Sequence, residues 1–167
     1  MYRNFIRPYF NGQCPFPAVS ASGRLMRILL LLPLLCVFSC AKDPEESAAV
    51  QAVKAYNVAL VQTYRDAVLD YMKPFASEDE INKLYPLMLA LGAINSRMVA
   101  IQDEFKVLDV DIEQNIARVE TKEKWTYWWE DRQTGAIVKP KAVQDYKIVY
   151  RLKKVRGRWI VNSLQPE

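Results

Sequence analysis

Histidine is absent from all 167 residues, so the side chain best suited to general acid–base work and metal ligation near neutral pH is missing. Proton chemistry would fall to carboxylates and phenols. Asp66 and Asp70 are four apart in a stretch of helical periodicity, which puts both carboxylates on one helix face. Glu123 shares the Trp125 side of a strand two residues away. The plain alternatives are a solvated helix face for the aspartates and a strand end near solvent for Glu123. Carboxylates alone are a weak basis for a metal site. No catalytic residue, metal or cofactor is therefore expected.

Aromatic residues carry more information. Alternation along residues 119–130 puts Val119, Thr121, Glu123, Trp125, Tyr127 and Trp129 on one face and Glu120, Lys122, Lys124, Thr126, Trp128 and Glu130 on the other. The first face is expected to point inward. Tyr146, Ile148, Tyr150 and Leu152 make a matching inner set on the next strand, with Asp145, Lys147, Val149 and Arg151 outside. Trp125, Tyr127, Trp129, Tyr146 and Tyr150, with Glu123, can line a pocket for a small apolar or aromatic ligand; alternatively the rings fill the core against the helices. Trp128 falls among charged neighbours, and Val149 is expected beside it. That pair is a candidate interface for a homodimer or an envelope protein, unless Lys and Arg stems simply cover it.

These side chains depend on a set of helices followed by a set of strands. "DPEE" reads as a helix start, with Asp43 as N-cap, Pro44 at N1 and Glu46 closing a capping box. From Glu45 to about Phe75, apolar residues including Val50, Val53, Leu60, Tyr64 and Val68 recur at helical spacing. Ser77 to Glu80 offers a second capping box into a helix over about 78–100, bent or divided by Pro86 and Gly92. After Asp103 the period becomes that of strands: one to Ile112, a turn at Glu113–Asn115, and a long strand from Ile116 to Glu130. A loop through "DRQTG" and Pro140 precedes two further strands, "VQDYKIVYRL" and "RWIVNSL", joined by the basic turn "KKVRG". Its residues Lys153, Lys154, Arg156 and Arg158 suit a solvated hairpin end or contact with anionic lipid. The expected class is α+β, with N-terminal helices packed on a curved four-stranded antiparallel sheet, preceded by a signal segment.

Charge divides the chain. All 19 acidic residues follow Cys40, whereas Arg3, Arg7, Arg24 and Arg27 precede it, which leaves 19 basic against 19 acidic residues in 41–167. A neutral body does not suit nucleic-acid binding. The apolar run from Ile28 to Phe38 is about half the roughly 20 residues a membrane-spanning helix needs, and it contains Pro33. Arg24 and Arg27 before it, and small residues after it, have the layout of a secretory signal. The tetrad Val37-Phe38-Ser39-Cys40 resembles the lipobox of bacterial lipoproteins, which implies a lipid on Cys40; cleavage after Ala41 and an uncleaved anchor are the alternatives.

The resulting division is 1–25 as a dispensable or mis-called extension with Met26 as the start, 26–39 as signal peptide, 40–44 as a short tether, and 45–167 as one domain. Cys14 and Cys36 would leave with the signal, so no internal disulfide is expected. With Ala41 after the cysteine, the resemblance to enterobacterial lipoproteins implies a protein on the outer membrane, facing the periplasm.

Helices leading into strands that end in "YKIVYRL" and "GRWIVNSL" look like the nuclear-transport-factor-two-like, cone-shaped α+β superfamily over roughly residues 45–165. The resemblance implies a sheet wrapped around helices to form a pocket. Its members include isomerases, dehydratases, polyketide cyclases and binding modules, so it does not select a function. The expectation is a membrane-tethered binding or protein-interaction module, with an enzyme or carrier of a small apolar ligand as the alternative.

Overall fold

The computed structural model describes residues 43–167; the expected signal, Cys40 and most of the tether lie outside them. Helix α1, Pro44–Asp66, opens as expected with Pro44 in its first turn and the Asp43 side chain accepting from the Glu45 N–H at 2.8 Å. Its buried stripe, Ala49, Val53, Tyr56, Ala59 and Thr63, repeats every three or four residues and faces the sheet. The helix stops at Asp66, about two and a half turns before Phe75. Ala67 turns left-handed at φ 56° and the Thr63 hydroxyl donates to the Val68 carbonyl, so the chain leaves the helix there. A 3-10 turn, Leu69–Met72, follows and buries Met72 completely.

The expected second helix is divided. Ser77 caps α2, Glu78–Asn82, accepting from the Glu80 N–H at 3.3 Å. The Glu80 carboxylate does not return to Ser77 but pairs with Lys83 at 2.6 Å, and the Ser77 N–H donates to Val161 O instead. Pro86 sits in the first turn of α3, Tyr85–Ala93, where its missing N–H costs nothing. Residues 96–100, expected as helix, are strand: after Asn95 at φ 50°, Ser96, Met98 and Ala100 are buried in alternation, Met98 opposite Trp129 and Ala100 opposite Tyr127. Partners on a distant strand override the local period here.

Four strands form one antiparallel meander: β1 Ser96–Glu113, β2 Ile116–Asp131, β3 Ile137–Val155 and β4 Arg158–Pro166. β3 starts before the expected Val143, because Pro140 falls where the ladder shifts between Trp129–Lys139 and Tyr127–Ala142, a place that needs no N–H from it. A bulge at Asp103 keeps both Gln102 and Phe105 on the inner face, opposite Trp125 and Glu123. The β3–β4 hairpin turns on Arg156 at φ 50° and Gly157 at φ 79°, the pair of positive angles that a two-residue hairpin with matching twist requires. Next to β4, Ala76 bridges Val161 in parallel. The main core lies between α1 and β2–β4, around Val53, Tyr56, Met72, Val119, Tyr150 and Trp159. A smaller cluster of Met88, Leu91 and Met98 joins α3 to β1. No helix among the described residues is long and apolar enough to cross a membrane.

Candidate functional site

The alternation on β2 is as expected: Val119, Thr121, Glu123 and Trp125 are buried, and Tyr127 and Trp129 continue that face half-buried towards the open end. Glu123 is no strand end near solvent. It is fully buried in mid-sheet and accepts from five side chains. Oε1 receives Thr121 Oγ1 at 2.8 Å and the Tyr150 hydroxyl at 2.9 Å. Oε2 receives Trp125 Nε1 at 2.7 Å and Gln102 Nε2 at 2.8 Å, with Asn57 Nδ2 at 3.2 Å from it. These donors come from α1, β1, β2 and β3, and none is a cation. Asn57 and Gln102 carry no motif that marks them, since they lie 66 and 21 residues from Glu123.

Above this network lies a cleft of about 390 Å³. Trp125, Tyr127, Tyr146 and Tyr150 line it, as expected, joined by Tyr56, Leu60 and Tyr64 from α1 and by Ile148 and Leu164 from the sheet. Trp125 and Tyr127 stack, centroids 6.0 Å apart and 7° from parallel, and Tyr56 meets Tyr150 edge-on at 6.1 Å. Glu123 does not line the cleft; it holds the floor from behind. Trp129 lines a second cavity of about 300 Å³ instead, with Lys139 Nζ 4.4 Å from its ring centre. Tyr64, Tyr127 and Tyr146 wall both cavities. The carboxylate that does reach the main cleft is Glu80, buried and tied to Lys83.

Asp66 and Asp70 do not form a site. Asp66 pairs with Arg65 at 3.0 Å, and Asp70, on the 3-10 turn, pairs with Lys73 at 2.8 Å in the open.

Trp128 lies on the outer face opposite Val99 and is half-buried rather than exposed. Its Nε1 donates to Glu130 at 2.7 Å, and Lys141 Nζ sits 4.6 Å from its ring centre. Val149 faces outward as expected but is only 6% exposed, so it offers no surface. It does not lie beside Trp128, the expected place, but eight residues along β2 from it, between Glu120 and Gln165, on the face where Glu120 is bridged by Arg118 and Lys147 and Lys147 also meets Glu167. Long charged side chains cover that apolar position.

No family model matches the chain, and no curated protein matches it. Among solved structures, the intermembrane-space region of the chloroplast protein ARC6 is similar with a TM-score of 0.62 at 10% identity, covering 72% of this chain and 95% of that one. A ketosteroid isomerase-like protein from Erwinia carotovora atroseptica has a TM-score of 0.46 at 15% identity, covering 73% and 94%. An IcmL-like type IV secretion system protein from Legionella pneumophila has 0.45 at 18%, covering 71% and 91%. The first of these likenesses shows a shared fold and nothing of function.

Two outcomes follow from the site. Trp125→Ala should cost about 3–5 kcal/mol in denaturant unfolding, because it removes a buried ring and one of the Glu123 donors. Trp128→Ala should cost about 1 kcal/mol, reflecting a half-buried ring and one hydrogen bond. Equal losses would contradict the facing of β2.

Burial pushes the Tyr64 phenol up to about 12, and burial also raises Tyr56, Tyr127 and Tyr150. A raised folded value means that the fold binds the phenolic proton more tightly than the unfolded chain does. The corresponding stability is present below the ordinary tyrosine value of about 10 and is lost as pH climbs from there through about 12. The phenolate absorbance lost in Tyr56→Phe and Tyr150→Phe chains should therefore appear, in the native chain, together with loss of far-ultraviolet circular dichroism; ionisation of Tyr56 or Tyr150 in a still-folded chain would contradict their burial.

Proposed function

We propose that this is an exported lipoprotein, held by acyl chains on Cys40 at the outer membrane and facing the periplasm, whose cone binds a small apolar ligand bearing one polar group. The observation that carries the ligand reading is the aromatic cleft of about 390 Å³ beside a carboxylate, Glu123, whose oxygens are already occupied by protein donors. A general base must reach its substrate's proton, and Glu123 lies outside the cleft lining. The volume falls at the small end of the roughly 300–1,000 Å³ usual for ligand sites. Stacked rings and aliphatic walls favour an apolar body, and Glu80 with Lys83 at one side offers a donor and an acceptor to a single polar group.

The anchor reading is supported by Ser39-Cys40 behind the short apolar run, and by the start of α1 only four residues beyond Cys40. The half-buried, hydrogen-bonded Trp128 and the covered Val149 lend less support to a protein interface on the outer sheet.

An apolar fluorescent probe should bind a chain beginning at Lys42 with micromolar affinity. Leu60→Trp, which fills the cleft from α1, should weaken that binding by about tenfold or more while thermal unfolding stays cooperative. Undiminished uptake by Leu60→Trp, or none by the native domain, would reject the cleft. Intact mass of the membrane-extracted protein should show acyl chains on Cys40, and Cys40→Ala should release the domain; an unmodified mature chain beginning at Lys42 would reject the anchor.

A further inference from the structure

Several features lie together at one end of the cone. The first turn of α1 meets the β3–β4 hairpin through Glu45, which accepts from Lys154 Nζ at 2.8 Å and from Trp159 Nε1 at 3.1 Å. The β1–β2 turn is at the same end, since the Lys154 N–H donates to Asn115 O at 2.8 Å. Register puts Ile116, Lys153 and Ile160 side by side on the outer sheet face, followed by Val155 opposite Arg158, with Arg156 at the tip. Ile116 is 61% and Val155 40% exposed. Arg151, Lys153, Arg156 and Arg158 are exposed and form no ion pair among the described residues, and no acidic side chain stands among them at this end of β3 and β4. Unpaired cations interleaved with exposed β-branched side chains have the composition of a surface that rests on anionic headgroups.

The position of the chain's entry selects the occupant. Cys40 precedes Asp43 by three residues, so the proposed anchor lies within about 10 Å of Asp43, at the start of the helix whose first turn meets the hairpin through Glu45. We infer that the β3–β4 hairpin tip, with Ile116 beside it, is a second membrane contact that docks on anionic lipid headgroups next to the acylated cysteine; this rests on the lipid-anchor reading. The aromatic cleft belongs to the other half of the molecule, because Tyr56, Leu60 and Tyr64 come from the C-terminal half of a 23-residue helix that starts at the basic end. At about 1.5 Å per residue, Tyr64 stands roughly 30 Å along α1 from its first turn. Docking at the tip therefore holds the cleft away from the bilayer, open to the aqueous compartment.

Amine-reactive labelling of the full acylated chain in vesicles tests this contact, read by mass spectrometry at Lys153, with Lys73 and Lys122 as exposed references. In vesicles of phosphatidylcholine with about 30% phosphatidylglycerol, Lys153 should label about fivefold less than in phosphatidylcholine alone, while Lys73 and Lys122 do not change. About 0.5 M salt should remove most of the difference, since exposed charges are screened over a few ångströms there. Equal labelling of Lys153 in both vesicles, with Cys40 acylated, would overturn the docking contact and leave the anchor standing. Protection that is the same in neutral vesicles would also overturn it, as simple proximity. A chain without acyl mass that fails to sediment with vesicles would overturn both.

Discussion

The fold turns on one buried carboxylate. Glu123 has no cation beside it among the described residues, and its two oxygens accept from side chains on α1, β1, β2 and β3. An unpaired donor in such a place costs about 1–3 kcal/mol, so Asn57, Gln102, Trp125, Thr121 and Tyr150 are each committed to it. That commitment sets the distance between α1 and the sheet, fixes the rotamer of Trp125, and keeps Gln102 inward across the bulge at Asp103. The apolar core around Val53, Val119 and Val161 packs the basal half, and the polar knot closes the space above it.

Closing the floor in this way decides what the remaining space can do. Above Glu123 the walls are rings and aliphatic chains, with Tyr56 edge-on to Tyr150 and Trp125 stacked on Tyr127. Glu123 lies behind those walls, already bonded, and the carboxylate that does reach the cleft, Glu80, is paired with Lys83. What is left is a small aromatic cleft with the Glu80–Lys83 pair at its side, the arrangement on which the proposed capture of an apolar molecule by one polar end rests. The basic hairpin tip meets the start of α1, whereas the cleft is lined from the C-terminal half of that helix, so the proposed ligand site and the proposed membrane contact use different surfaces.

Much of this was legible from local rules. Asp43 and Ser77 act as helix caps because short polar side chains meet orphan N–H groups whatever lies further off. The period-two pattern of β2 was legible because one face is buried, and it identified Trp125, Tyr127, Tyr146 and Tyr150 as inward-facing. What failed was set by distant partners. Residues 96–100 follow Trp129 and Tyr127 rather than their own period, and β3 runs through Pro140 because a register shift relieves it of an N–H. Glu123 reads locally as an acid in a charged strand; only the arrival of Asn57 and Gln102 from remote positions makes it a core residue. Val149 faces the expected side but is covered by ion-paired neighbours, which alternation alone does not reveal.

Glu123 ties α1 to three strands through its hydrogen bonds and lies outside the cleft lining. Denaturant unfolding and probe affinity of Glu123→Gln, measured on the same preparation, test this structural role most directly. An amide puts an NH2 group, with two N–H donors, where one acceptor oxygen stood in a site already full of donors, so stability should fall by about 2–4 kcal/mol while the folded fraction binds the apolar probe within about twofold of the native affinity. Unchanged stability with probe binding lost would contradict the account and make Glu123 a ligand-contacting group.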